Sequence, residues 1–114
     1  MEKLYAMPFA NVYPAYVNKV ERKGRTAEEL DEVIRWLTGY TAASLKKNIK
    51  NNVSLREFFN GAKINKKAVL ITGTICGVKI SEIENPLMLK IRYLDKLVDE
   101  LAKGRPMEKI LRTD

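Results

Sequence analysis

The segment opening at Asn85-Pro86 constrains this chain most. Asparagine caps a helix N-terminus, and proline suits the first helical position, where no amide hydrogen is needed. Behind them Leu87, Ile91, Leu94, Val98 and Leu101 step by four, three, four and three, a coiled-coil-like seam over two heptads. Met88, Leu89, Tyr93 and Leu97 lie partly off that seam and widen it. A helix apolar on more than one side needs cover on more than one side. The spacing therefore predicts a helix over Pro86–Lys103, ended by Gly104. It sits either at the centre of a bundle or between this chain and a second copy. A short helix from Pro106 to Leu111 follows, with Met107, Ile110 and Leu111 as its apolar side.

The rest of the chain is punctuated by further helix signals. Val12, Tyr13, Tyr16, Val17 and Val20 fall at helical spacing, which predicts a helix over Asn11–Arg22 with Pro14 in its first turn and Gly24 after its end. Thr26-Ala27-Glu28-Glu29 is a capping box, and Leu30, Val33, Ile34 and Leu37 give its helix a buried stripe up to Gly39. Thr41 caps a third helix carrying Leu45 and Ile49, broken by Asn51 and Asn52. Ser54-Leu55-Arg56-Glu57 opens a fourth, with Phe58 and Phe59 on its apolar side.

Residues 68–80 read two ways. As a helix capped by Asn65, they put Ala68, Ile71, Ile75 and Val78 on one face and stop near Gly77. As a hairpin, Val69–Thr72 and Ile75–Ile80 flank a Gly73-Thr74 turn of type II′. The β-branched content favours strands, and the helical neighbours favour helix. The helix is adopted, giving an all-α single domain over residues 1–114, a compact bundle of five to six helices. The alternative is α+β with a short hairpin at about 69–80.

Composition narrows the function classes. At 114 residues, 46% hydrophobic and 31% charged, the chain can bury a core. It contains no histidine and one cysteine. Ser–His and Cys–His nucleophile pairs are thereby excluded within one chain, as is a Cys/His zinc site. No metal, cofactor or catalytic residue is assigned. No apolar run approaches the roughly 20 residues that span a bilayer, and Met1–Tyr5 lacks the apolar run of a secretory signal. No membrane partner and a cytoplasmic location are expected.

Several stretches together resemble a known family: residues 17–26 (Val-Asn-Lys-Val-Glu-Arg-Lys-Gly-Arg-Thr), 31–40 (Asp-Glu-Val-Ile-Arg-Trp-Leu-Thr-Gly-Tyr), Ile75-Cys76-Gly77-Val78, Asn85-Pro86-Leu87-Met88 and 91–97 (Ile-Arg-Tyr-Leu-Asp-Lys-Leu). The chain resembles, over nearly its whole length, a small uncharacterised bacterial family of the domain-of-unknown-function kind, number 2200. That resemblance implies a single cytoplasmic domain. It supplies no activity, substrate or site residue.

Charge gives the functional lead. Residues 41–67 hold seven cations (Lys46, Lys47, Lys50, Arg56, Lys63, Lys66, Lys67) against Glu57, a net of +6 out of the chain's +7. A basic patch on a neutral background attracts an anionic partner. The leading reading is a non-enzymatic binding or interaction module whose Lys46, Lys47, Lys50, Lys63, Lys66 and Lys67 contact an anion such as nucleic acid; the bland reading is a solvated lysine face. One alternative is a small enzyme or small-molecule binder with a lysine, tyrosine or carboxylate pocket near Tyr16, Trp36 and Tyr40. Another is a structural homo-oligomer, a homodimer joined through Met88, Leu97, Met107, Ile110 and Leu111. Glu28, Glu29, Asp31 and Glu32 are explained by a helix start, and Cys76 by core packing.

Overall fold

The computed structural model describes residues 1–113. Along the chain run α1 (Glu2–Ala6), α2 (Phe9–Glu21), α3 (Ala27–Thr38), α4 (Ala42–Lys50), α5 (Leu55–Asn60), a 3-10 turn (Lys66–Leu70), strands β1 (Thr74–Ile75) and β2 (Val78–Lys79), a second 3-10 turn (Ile80–Glu82), α6 (Pro86–Ala102) and α7 (Met107–Ile110). The protein is thus mainly helical, with one short antiparallel hairpin among the described residues.

α6 lies at the centre, packed by α2, α3, α5, α7 and β1. Met88, Ile91, Leu94, Leu97, Val98, Leu101 and Ala102 are all buried along it. Of the residues read as a dimer face, Met88, Leu97 and Ile110 are buried inside the chain's own core and Met107 and Leu111 are half-buried. The wide stripe of α6 is covered largely by the chain's own elements, while Met107 and Leu111 stay partly open.

Each local start signal works through one hydrogen bond. The side chains of Thr26, Thr41, Ser54 and Asn85 accept from the amides of Glu29, Ser44, Glu57 and Met88 at 2.9–3.1 Å. Each satisfies an amide that the helix itself leaves orphaned. At Thr26 the box is reciprocal, with the Glu29 carboxylate accepting from the Thr26 amide. The same carboxylate accepts from Arg25, whose hydrogen bonds are the main reason its pKa lies below the usual value.

α2 starts earlier than the spacing predicts. Pro8 caps it, and Met7–Phe9 runs antiparallel to Val53–Leu55, with Phe9 N donating to Val53 O and Leu55 N to Met7 O, both at 2.8 Å. That long-range bridge fixes Phe9 as the first helical residue, so Pro14 falls inside the second turn instead of the first. Its ring is exposed.

The 68–80 segment is not a helix. It combines the 3-10 turn with the hairpin, in which Thr74 pairs with Lys79 and Ile75 with Val78. The turn is Cys76-Gly77, three residues beyond the Gly73-Thr74 expected. Both turn residues have positive φ, 52° and 77°, the backbone of a type I′ turn that matches strand twist. Gly73, at φ 97°, instead accepts the closing bond from Ile80 N at 3.0 Å. Three backbones in the left-handed region cannot sit in an α-helix. So small a hairpin is marginal alone; burial of Ile75 and Ile80 beside α6 holds it. Cys76, expected in the core, is exposed at the turn.

Gly39 closes α3 at φ 74°, and a Cβ there would lie 3.0 Å from the Lys63 carbonyl oxygen. Lys63 N and Asn65 N meanwhile donate to the last carbonyls of α3, Thr38 O and Leu37 O. Gly39→Ala is therefore expected to lower stability by about 1–3 kcal/mol. Gly24→Ala, at φ 82° with open space around it, should lose less. Urea unfolding of the two variants checks the order.

Candidate binding groove and lysine surface

A cleft of about 670 Å³ opens between α3 and α4. Three further surface clefts measure about 250 to 430 Å³. Helical periodicity builds both walls. Glu28, Asp31, Glu32 and Arg35 recur at three- and four-residue steps along α3, and Ala42, Leu45, Lys46, Ile49 and Lys50 do so along α4. Tyr13 reaches in from α2. The Gly39-Tyr40-Thr41 turn folds the helices back on each other, so the acids of one face the lysines of the other.

The floor is apolar, with Leu45 buried and Ile49 and Tyr13 half-buried. The Tyr13 hydroxyl donates to Asp31 Oδ1 at 2.5 Å. Burial first, then that bond and the Asp31 charge, push the phenol pKa up, so it stays a donor at all ordinary pH. Among the described residues, neither Glu28, Asp31 nor Glu32 comes within 4.0 Å of a cationic nitrogen of Arg35, Lys46 or Lys50. The α3 wall is acidic on balance, three acids against Arg35, the α4 wall is basic, and the two do not close on each other.

The six lysines singled out by charge are all exposed, and none pairs with an acid among the described residues. Lys46 and Lys50 enter the groove, whereas Lys47 lies outside it. Lys63 sits against Gly39, at the turn from which α4 departs, and Lys66 and Lys67 follow in the 3-10 turn. Arg56 of the same segment is spent on Glu2 at 2.8 Å and stacks over the Tyr5 ring.

Tyr16, Trp36 and Tyr40 do not share a pocket. Trp36 and Tyr40 border a shallow cleft of about 320 Å³ with Glu32, Arg35 and Leu111. The Tyr40 hydroxyl is turned inward and donates to Phe58 O at 2.6 Å. Tyr16 lies on α2 and donates to Asp95 of α6 at 2.5 Å, with Arg92 holding the other carboxylate oxygen at 3.0 Å. Burial, then the Asp95 charge, raises the Tyr16 pKa well above its ordinary value. These phenols act as structural donors. The carboxylates at the start of α3 do not gather as a metal-ligand group among the described residues.

Sequence reasoning passed over Arg35 and the groove itself. The signal was present: an acidic run on one face of a helix, a three-residue turn, then a basic run on one face of the next. It becomes a site only once the turn brings those two faces together.

A family model described as an uncharacterised protein conserved in bacteria, DUF2200, matches residues 3–112. The chain is also similar to a solved structure, the crystal structure of uncharacterized protein SP1917, with 47% sequence identity and a TM-score of 0.91 over 97% of this chain and 92% of that one. No curated protein matches.

Proposed function

We propose, for a chain that belongs to the DUF2200 family of uncharacterised proteins conserved in bacteria, a non-enzymatic role as a small binding module for an anionic partner. The observation carrying this reading is that Lys46, Lys47, Lys50, Lys63, Lys66 and Lys67 are all exposed without an acidic partner among the described residues. Their charges are free to neutralise phosphates. The chain has no histidine for acid–base work, and the Tyr13, Tyr16 and Tyr40 hydroxyls are committed to hydrogen bonds. The module is taken to act as one domain in the cytoplasm. No described helix is long and apolar enough to cross a membrane.

Nucleic acid is the probe with the clearest signature. Neutralising Z phosphates releases counterions, and the logarithm of the binding constant falls with the logarithm of salt by roughly 0.9 for each. Engagement of all six lysines gives a slope of about −5 on duplex DNA. Lysine without an arginine fork on α4 gives little base readout, so binding should be indifferent to sequence. Replacing Lys47, Lys63, Lys66 and Lys67 by glutamine should reduce the slope by about 3 to 4 and weaken binding at low salt at least tenfold. Fluorescence anisotropy with a labelled 20-mer across a salt series makes the measurement. No binding at the lowest salt ends the nucleic-acid version of this reading.

A further inference from the structure

We infer that the α3–α4 groove takes a small zwitterion with an apolar body, best met by a short peptide bearing free amino and carboxyl ends. The argument starts from what the walls reject. A polyanion entering the groove would meet Glu28, Asp31 and Glu32, and a polycation would meet Arg35, Lys46 and Lys50. A neutral apolar ligand would cover the charges without pairing them, an unfavourable burial. A molecule with an ammonium on one side and a carboxylate on the other satisfies both walls, and its apolar middle lies on Leu45, Ile49 and the Tyr13 ring.

Size agrees. The cleft of about 670 Å³ lies within the 300–1,000 Å³ usual for small-ligand sites. Packed helices stand about 8–10 Å apart, and an extended dipeptide backbone reaches roughly 7 Å. Its two ends can therefore address both helices at once. Asp31 is already held by the Tyr13 hydroxyl, which leaves Glu28 and Glu32, both exposed, as the adjustable acids for the ammonium.

The site shares Lys46 and Lys50 with the lysine surface proposed above, but Lys47, Lys63, Lys66 and Lys67 do not line it. The test uses the full chain labelled with nitrogen-15 and titrated with the dipeptide leucyl-phenylalanine to about 10 mM. Saturable amide shifts are expected at 28–35 and 42–50. N-acetylation of the peptide, amidation of its C-terminus, or the E28Q/E32Q double substitution should each weaken binding at least fivefold. The same E28Q/E32Q protein should still bind DNA, whereas the lysine variants described above should bind the dipeptide unchanged. Free phenylalanine binding as tightly as the dipeptide would support the same chemistry with an amino acid as the source. Absence of saturable shifts, shifts confined to other surfaces, or equal binding of the blocked peptides would overturn the assignment.

Discussion

Phe58→Ala is expected to remove about 4 kcal/mol of unfolding free energy, the middle of the range for deleting a buried aromatic ring. Phe58 is 0% exposed and is the hub of an aromatic cluster. Its ring stacks on Phe9 with centroids 3.9 Å apart and planes within 4°. It also meets Phe59 edge-on and Tyr40 at a tilt, both with centroids 5.1 Å away. The cluster joins α2 and α5 to the turn that ends α3. The Tyr40 hydroxyl ties it further by donating to the Phe58 carbonyl. Removing the ring leaves a cavity walled by groups that these bonds hold in place, so collapse is limited. Small domains hold only about 5–15 kcal/mol in total, and a loss of this size should lower Tm by roughly 10–20 °C. Urea and thermal unfolding give the number. A loss below about 1 kcal/mol would mean that the stack contributes little.

Most helices here announce themselves locally. Thr26, Thr41, Ser54 and Asn85 were each read as caps, and each accepts the expected amide. A cap acts within three residues, so a sequence displays it whole. The long seam of α6 was legible for the same reason. What stayed hidden depends on residues far apart in the chain. The early start of α2 needs Val53 to meet Phe9, and no pattern around residue 9 encodes that. The 68–80 segment contains an apolar set that suits either secondary structure. Gly73, Cys76 and Gly77 at positive φ decide it, yet the cysteine gives no sign of that backbone. The groove was half legible. Its acids serve as a helix start and its lysines as a solvated face; only the folded turn shows that each wall has an opposite. Arg25 was missed altogether. It pairs with Glu29 and donates to the Leu101 and Arg105 carbonyls, clamping the start of α3 to the end of α6.

The second large loss is expected from Glu100→Leu, at about 3–5 kcal/mol. Glu100 is the charged residue that α6 buries, at 7% exposure. Its two oxygens accept from Arg112 Nη1 and Nη2 at 2.6 and 2.8 Å, a bidentate pair, and Arg105 adds a third contact at 3.0 Å. Arg112 also donates to the Ile110 carbonyl. The pair therefore pins the tail beyond α7 over Ile110, which is fully buried. Leucine at position 100 would strand the Arg112 guanidinium, whose side chain is only 12% exposed, whereas Arg105 at 42% can turn to water. A stranded buried charge is what makes breaking such a pair expensive; an apolar pair of similar volume is often neutral or better. The double variant Glu100→Leu/Arg112→Met should then recover most of what the single variant loses, with a coupling of at least 1 kcal/mol in the double-mutant cycle. Urea unfolding of the four proteins decides it. If the two single losses simply add, the guanidinium was never stranded, and the tail is held by Ile110 packing alone.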